Sequence, residues 1–283
     1  MRKTVLLATA VAAVFGVTAV AYAANTYKVT VATVSPTQAG TVAIPKSSFI
    51  SFGFQVGETA NNRPAVTTDY VIGFGPKIKN GRRFFKGNKV CTVAQAGIVS
   101  GRPPACPATA KAGSGSVQNL AGLATVPGHK VPCYLALTLY VGDGKAVPAA
   151  ANDGKPVRND VVLALKGQPN PNDPSKNCDL AVDSAIPAQF TTFRTGTALA
   201  FHVRVKPFQQ PADGVDNSVV NVTTSRVGKS VRVATRVGGR TVFRTRGLLE
   251  SIGCTRRFHN VTVQFTPKTG SPSVKSKAAP CRV

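Results

Sequence analysis

Tryptophan is absent from this chain and aromatic residues make up only 7% of it. That leaves little for the stacked platforms on which proteins hold single-stranded nucleic acid, so nucleic acid is not the expected partner. Acid is scarce too: eleven Asp and Glu stand against thirty-five Lys and Arg, a formal net charge of +24. Glu58 and Glu250 are the only glutamates, which makes a carboxylate pair for glycoside cleavage hard to assemble. No G-x-S-x-G, H-E-x-x-H or Walker pattern occurs. No C-x-x-C or close Cys/His spacing suggests a metal, and no cofactor is implied. No window places apolar residues at helical spacing, so a helical layer is not expected.

The N-terminus reads as an export signal. Met1-Arg2-Lys3 is positive, Val5 to Val20 is apolar without a charge, and Ala21-Tyr22-Ala23 is an A-x-A cleavage site; together these predict a signal peptide over 1–23. The apolar run is short for a membrane span, so no transmembrane segment should remain after cleavage. The expected location is outside the cell or on the outer face of its envelope.

Cys91, Cys106, Cys133, Cys178, Cys254 and Cys281 all lie beyond that signal. An even number in an exported chain argues for disulfides. Six cysteines allow fifteen pairings; joining sequence neighbours, 91–106, 133–178 and 254–281, keeps each closed loop within one section of the fold. The first pair would staple a loop punctuated by Gly101, Pro103 and Pro104, either a presented binding loop or a plain crossover. Gly113-Ser114-Gly115-Ser116 then offers a turn, a close backbone approach or a weak phosphate cradle, before a strand beginning near Val117.

Between these points the pattern is that of short strands. Tyr27, Val29, Val31 and Thr33 alternate with Lys28, Thr30 and Ala32. Ile50, Phe52, Phe54 and Val56 share one face, as do Leu135, Leu137, Leu139 and Val141, and likewise Leu199, Phe201, Val203 and Val205. Further strands are expected at 70–74, 161–166, 181–186 and 219–223, with the last at 260–266. The fold class is all-β: one or two antiparallel immunoglobulin-like sandwiches, disulfide-stapled, with domains or halves at 24–190 and 191–283.

The run Phe84, Gly87, Asn88, Cys91, then Cys106-Pro107 and Gly113-Ser114-Gly115-Ser116-Val117, resembles a group of uncharacterised exported actinobacterial proteins that read F-x-G, C, A-C-P and G-S-G-x-A. Leu199 to Val215 and Leu248 to Val283 resemble the same group. Arg256-Arg257-Phe258 stands where its members often carry Trp. The resemblance implies an exported β-sandwich and no particular activity.

The most suggestive chemistry is basic. Lys77 to Lys89 holds six cations and no acid; Arg226 to Arg257 holds nine and one acid, Glu250. Val231 to Gly247 reads as a hairpin turning at Gly238-Gly239. A two-residue turn would mix Arg240 and Arg244 with Val237 and Val233. A three-residue loop, with Val237 opposite Thr241, would place Arg232, Arg236, Arg244 and Arg246 on one face, and burial of the other face favours that register. Those four arginines are the candidate polyanion site. No catalytic residue is assigned: His129 lies in a turn, His202 and His259 fall on the polar phase of strands, and Asp183 and Asp213 neighbour them only in sequence. The expected role is non-enzymatic, binding an anionic cell-wall polymer or another exported protein; the alternative is a secreted hydrolase of envelope polysaccharide.

Overall fold

Period-two alternation sets the layers. Ile50, Phe52, Phe54 and Val56 are all buried, as are Leu135, Leu137, Leu139 and Val141, while the residues between them, apart from the buried Gly53, face outward or are half-covered. The structure is a computed structural model that describes residues 24–97, 105–126, 128–148, 154–173, 178, 184–193, 198–205 and 214–283. The signal expected over 1–23 lies outside the described residues, as do Gly101, Pro103, Pro104, Asp183 and Asp213.

The strands run β1 (Asn25–Ser35), β2 (Lys46–Glu58), β3 (Thr67–Gly73) and β4 (Ile78–Asn80), followed by a single helical turn, α1 (Val93–Ala96). Then come β5 (Lys111–Leu123), β6 (Val131–Val141), β7 (Ala146–Val147), β8 (Val157–Arg158), β9 (Val161–Gln168), β10 (Ser184–Thr192) and β11 (Leu199–Arg204). The chain closes with β12 (Val215–Ser225), β13 (Ser230–Val237), β14 (Arg240–Gly247), β15 (Leu249–Ser251), β16 (Phe258–Pro267) and β17 (Ser273–Pro280). Every pairing between these named strands is antiparallel, as an all-β chain of short connections should give.

One path links most of them, in the order β17-β16-β3-β11-β10-β9-β6-β5-β12-β2-β15-β4, with β1 also on β2. This path joins both layers, where an immunoglobulin-like sandwich keeps two sheets apart. The boundary expected at residue 190 falls inside β10, and strands from either side of it alternate along the path. The sheet folds back on itself. Phe54 of β2 stacks on Tyr70 of β3 with ring centroids 5.2 Å apart, and Tyr27 of β1 on Phe265 of β16 at 4.5 Å. Such ring pairs add about 0.5–1.5 kcal/mol each beyond the area they bury. Phe201, edge-on to Phe74 at 4.9 Å and close to Phe190 at 4.7 Å, extends the same core. A small apolar cavity of about 60 Å³ remains between Phe54, Leu137, Val203 and Val219. Beyond β17, Arg282 exchanges backbone hydrogen bonds with Thr37 and Ala39, bringing the end of the chain beside the exit of β1.

Three disulfides join the sequence neighbours: Cys91–Cys106, Cys133–Cys178 and Cys254–Cys281. Beside the first, Thr92 and Gln95 cap α1 reciprocally, and Ala96 packs with Val162, Ala164 and Ala185 on the outside of β9 and β10. The described part of this stapled loop is therefore a cover for the sheet.

Some local expectations need correction. A bulge between Val29 and Val31 moves the buried phase of β1 onto Ala32 and Val34, leaving Thr33 outside. β5 begins at Lys111, so Gly113-Ser114-Gly115-Ser116 is strand. The reason is close approach: a Cβ on Gly115 would lie 2.1 Å from the Thr223 carbonyl oxygen. A further strand, β17, follows the one expected to be last.

Candidate functional site

The two basic runs, far apart in sequence, meet in space. β15 pairs with both β2 and β4, setting Glu250 opposite Lys79. The backbone N–H of Gly81 donates to the Leu248 carbonyl at 2.9 Å, which holds the turn that follows β4 against the foot of the β13–β14 hairpin. Phe84 in that turn receives two arginines: the Arg246 guanidinium carbon lies 4.1 Å from the ring centroid and that of Arg83 4.9 Å. Arg246 also grips Glu250, Nε to Oε1 and Nη2 to Oε2, both at 2.7 Å. The one acid of the 226–257 run is thus buried and matched.

Above this foot the hairpin stands free of the main sheet as a two-stranded ribbon. Its register is Val237 opposite Arg240, a two-residue turn, not the three-residue loop that burial arguments favoured. Gly238 and Gly239 take φ of +56° and +78°, the left-handed pair that a tight hairpin turn requires. Burial could not arbitrate, because from Arg232 to Thr245 both faces are open or only half-covered. The four candidate arginines therefore divide: Arg232 and Arg236 share a face with Phe243, while Arg244 and Arg246 share the other with Val231 and Val233. Arg232 lies over the Phe243 ring at 4.8 Å.

The same inward turning of acids recurs across the molecule. Asp160 is fully buried, held by Arg158 Nε at 2.9 and 2.8 Å, Arg82 Nε at 3.2 Å and the Phe190 backbone N–H at 2.8 Å. Arg63, with no exposed surface, donates to the Leu123 and His129 carbonyls at 2.8 and 2.6 Å and lies 3.7 Å from Asp216. None of the seven described acids is exposed, whereas twenty-two of the twenty-nine described Lys and Arg are. Among the described residues, every exposed charged side chain other than histidine is Lys or Arg.

Histidine chemistry is sparse. His202 Nε2 lies 3.0 Å from Asp69 Oδ1, and Arg204 Nε 3.3 Å from the same oxygen. Burial pushes the Asp69 carboxyl up, but hydrogen bonds from His202 and Thr68 and the charges of His202 and Arg204 outweigh it and hold it below its usual 3.8. The Thr68 hydroxyl donates to the carboxylate, not to the imidazole; no hydroxyl among the described residues is hydrogen-bonded to the other ring nitrogen, as a nucleophile–base pair would need. His129 is exposed, and its Nδ1 accepts from the Leu123 N–H at 3.4 Å. His259 is not on a polar face as expected. It is buried, with Nε2 3.1 Å from Cys281 Sγ and 3.4 Å from Ser251 Oγ. Cys254, His259 and Cys281 cluster as metal ligands would, but both sulfurs are spent in a disulfide. A second concavity of about 410 Å³ crosses the outer face of β5 and β6, lined by Ser116, Gln118, Tyr134, Gln168 and Asn221, none of them charged. No helix among the described residues is long and apolar enough to cross a membrane.

No family model, curated protein or solved structure matches the chain.

Proposed function

We propose that this is a non-enzymatic protein of the cell exterior whose cationic surface binds anionic polymers of the cell envelope. The observation that carries the reading is the sorting of charge: described acids are buried or half-buried against arginine and backbone donors, while most described cations stand in water. Internal pairing of the described acids removes counter-charges that would otherwise neutralise the exposed cations, so a polyanion meets a predominantly positive field over the described surface. The hairpin concentrates it: Arg232, Arg236, Arg240 and Arg244 are all exposed. Of the four arginines expected from sequence, Arg246 serves instead to seat the ribbon. The disulfides fit the oxidising exterior that the N-terminal signal implies.

The test is retention on a phosphate-bearing polymer, such as immobilised polyphosphate, across a salt series. Retention should fall steeply with salt as counterions compete. Changing Arg232, Arg236, Arg240 and Arg244 to Ser should shift elution to lower salt. Equal elution of both proteins would remove the hairpin from the site, and failure of the parent to bind at low salt would remove the reading altogether.

A further inference from the structure

The hairpin carries something that a soluble polyanion does not explain. Val237, Val242 and Phe243, at and near its tip, are 48%, 38% and 57% exposed. They project from both faces, Val237 and Val242 on one and Phe243 on the other. Each is flanked by arginine: Arg240 and Arg244 beside the valines, Arg232 and Arg236 beside the phenylalanine. The chain has no acid from 217 to 249, so nothing in the ribbon repels an anionic surface. A hydrated polymer would engage the arginines and leave the three apolar side chains in water.

We propose that the β13–β14 hairpin is an interfacial anchor for anionic phospholipid bilayers, its arginines on the lipid phosphates and Val237, Val242 and Phe243 in the boundary between headgroups and acyl chains. The inference rests on the polyanion reading and narrows the partner. A bilayer surface presents both complements at once, charge at the headgroup and apolar matter a few ångströms below it. Arg232, stacked on Phe243, is placed to keep its charge at the phosphate level while the ring goes deeper. Depth is bounded by the backbone. A two-stranded ribbon keeps unpaired N–H and C=O groups along both outer edges, which hydrocarbon does not tolerate, so the tip lodges in the interface and does not span. The strands are eight residues each, a reach of about 25 Å, enough to bring the tip to a surface ahead of the sandwich.

The absence of tryptophan makes the test clean. In a Phe243→Trp variant the new indole is the sole such emitter. It should shift to the blue on vesicles of phosphatidylcholine with phosphatidylglycerol, and stay unshifted on phosphatidylcholine alone. Changing Val237, Val242 and Phe243 together to Ser should weaken vesicle binding by at least about tenfold, from the apolar area lost, while elution from polyphosphate stays unchanged. Unchanged circular dichroism and melting temperature show that either variant is folded. If the protein sediments with anionic vesicles but the indole does not shift, or the triple Ser variant binds them equally, the anchor is overturned and the cationic surface survives. If neither vesicles nor polyphosphate retain the parent, both fail.

Discussion

Arg246 and Glu250 face each other through two parallel hydrogen bonds of 2.7 Å, at the foot of the hairpin that carries the exposed Arg232, Arg236, Arg240 and Arg244. The pair also organises its surroundings, since the carboxylate accepts the Gly247 N–H at 3.1 Å and the guanidinium covers Phe84. Removing the cation strands a carboxylate that is only 3% exposed. Arg246→Met should therefore cost roughly 3 kcal/mol of unfolding free energy, as for other broken buried pairs. Glu250→Gln leaves an arginine whose side chain is 18% exposed, against 4% for the carboxylate, and an amide of the same shape, and should cost less, about 1–2 kcal/mol. Urea titration of the three proteins gives the order.

The hairpin should be separable from the fold. Its stem is fixed by Val227, which exchanges two backbone hydrogen bonds with Ile50 at 2.8 Å, and by Leu248 and Leu249, which have no exposed surface. Beyond Val231 and Arg246, an opposed pair, the ribbon adds little to the core. Replacing 232–245 with a two-residue Asn-Gly turn should move the melting temperature by no more than a few degrees, the change expected of about 1 kcal/mol in a domain of this size. The same excision should abolish retention on polyphosphate at salt concentrations where the parent still binds.

That separability also explains what could and could not be read from the sequence. Ile50-Phe52-Phe54-Val56 and Leu135-Leu137-Leu139-Val141 declare their buried faces because each lies on a strand with one covered side. The hairpin has no covered side, so an argument from burial chose the wrong register, and the two left-handed glycines decided it. The cysteine pairing was legible because each bridge spans a modest separation, from 15 to 45 residues. The strand order was not. β3 lies between β11 and β16, and the Asp69–His202 contact it creates joins residues 133 positions apart; alternation says that a strand has an apolar face, never which strand lies beside it. Charge behaved likewise. Composition revealed the excess of cations, but only the packing shows that Asp160, Asp216 and Glu250 are buried.

Cys254 and Cys281 close the last 27-residue separation and tie the entry of β16 to the exit of β17. A double Ser variant should lose about 2–4 kcal/mol, largely through the freed unfolded chain. Because Leu248 and Leu249 lie just before this bridge, the looser C-terminus should also quicken amide exchange across β15. Hydrogen exchange resolved by segment would show it, and uniform protection in β15 would mean that the bridge stabilises only β16 and β17.

The buried His259 makes stability depend on mild acid. Burial lowers its pKa below the ordinary 6.5, because desolvation penalises the imidazolium. The unfolded chain therefore binds a proton at a pH where the folded chain does not. Stability from this group is fully present above about pH 6.5, declines as pH falls toward the folded-state pKa, and declines no further below it. Asp69 acts lower still: its folded pKa lies below 3.8, so its contribution is lost only as pH falls beneath that ordinary carboxylate value. The two windows are distinct. A melting curve series from pH 7.5 to 3 should show a fall between pH 6.5 and 4.5 belonging to the histidine, and His259→Gln should flatten it while leaving the loss below pH 4 in place. If the variant keeps the same slope between pH 6.5 and 4.5, the histidine is not the group that titrates there.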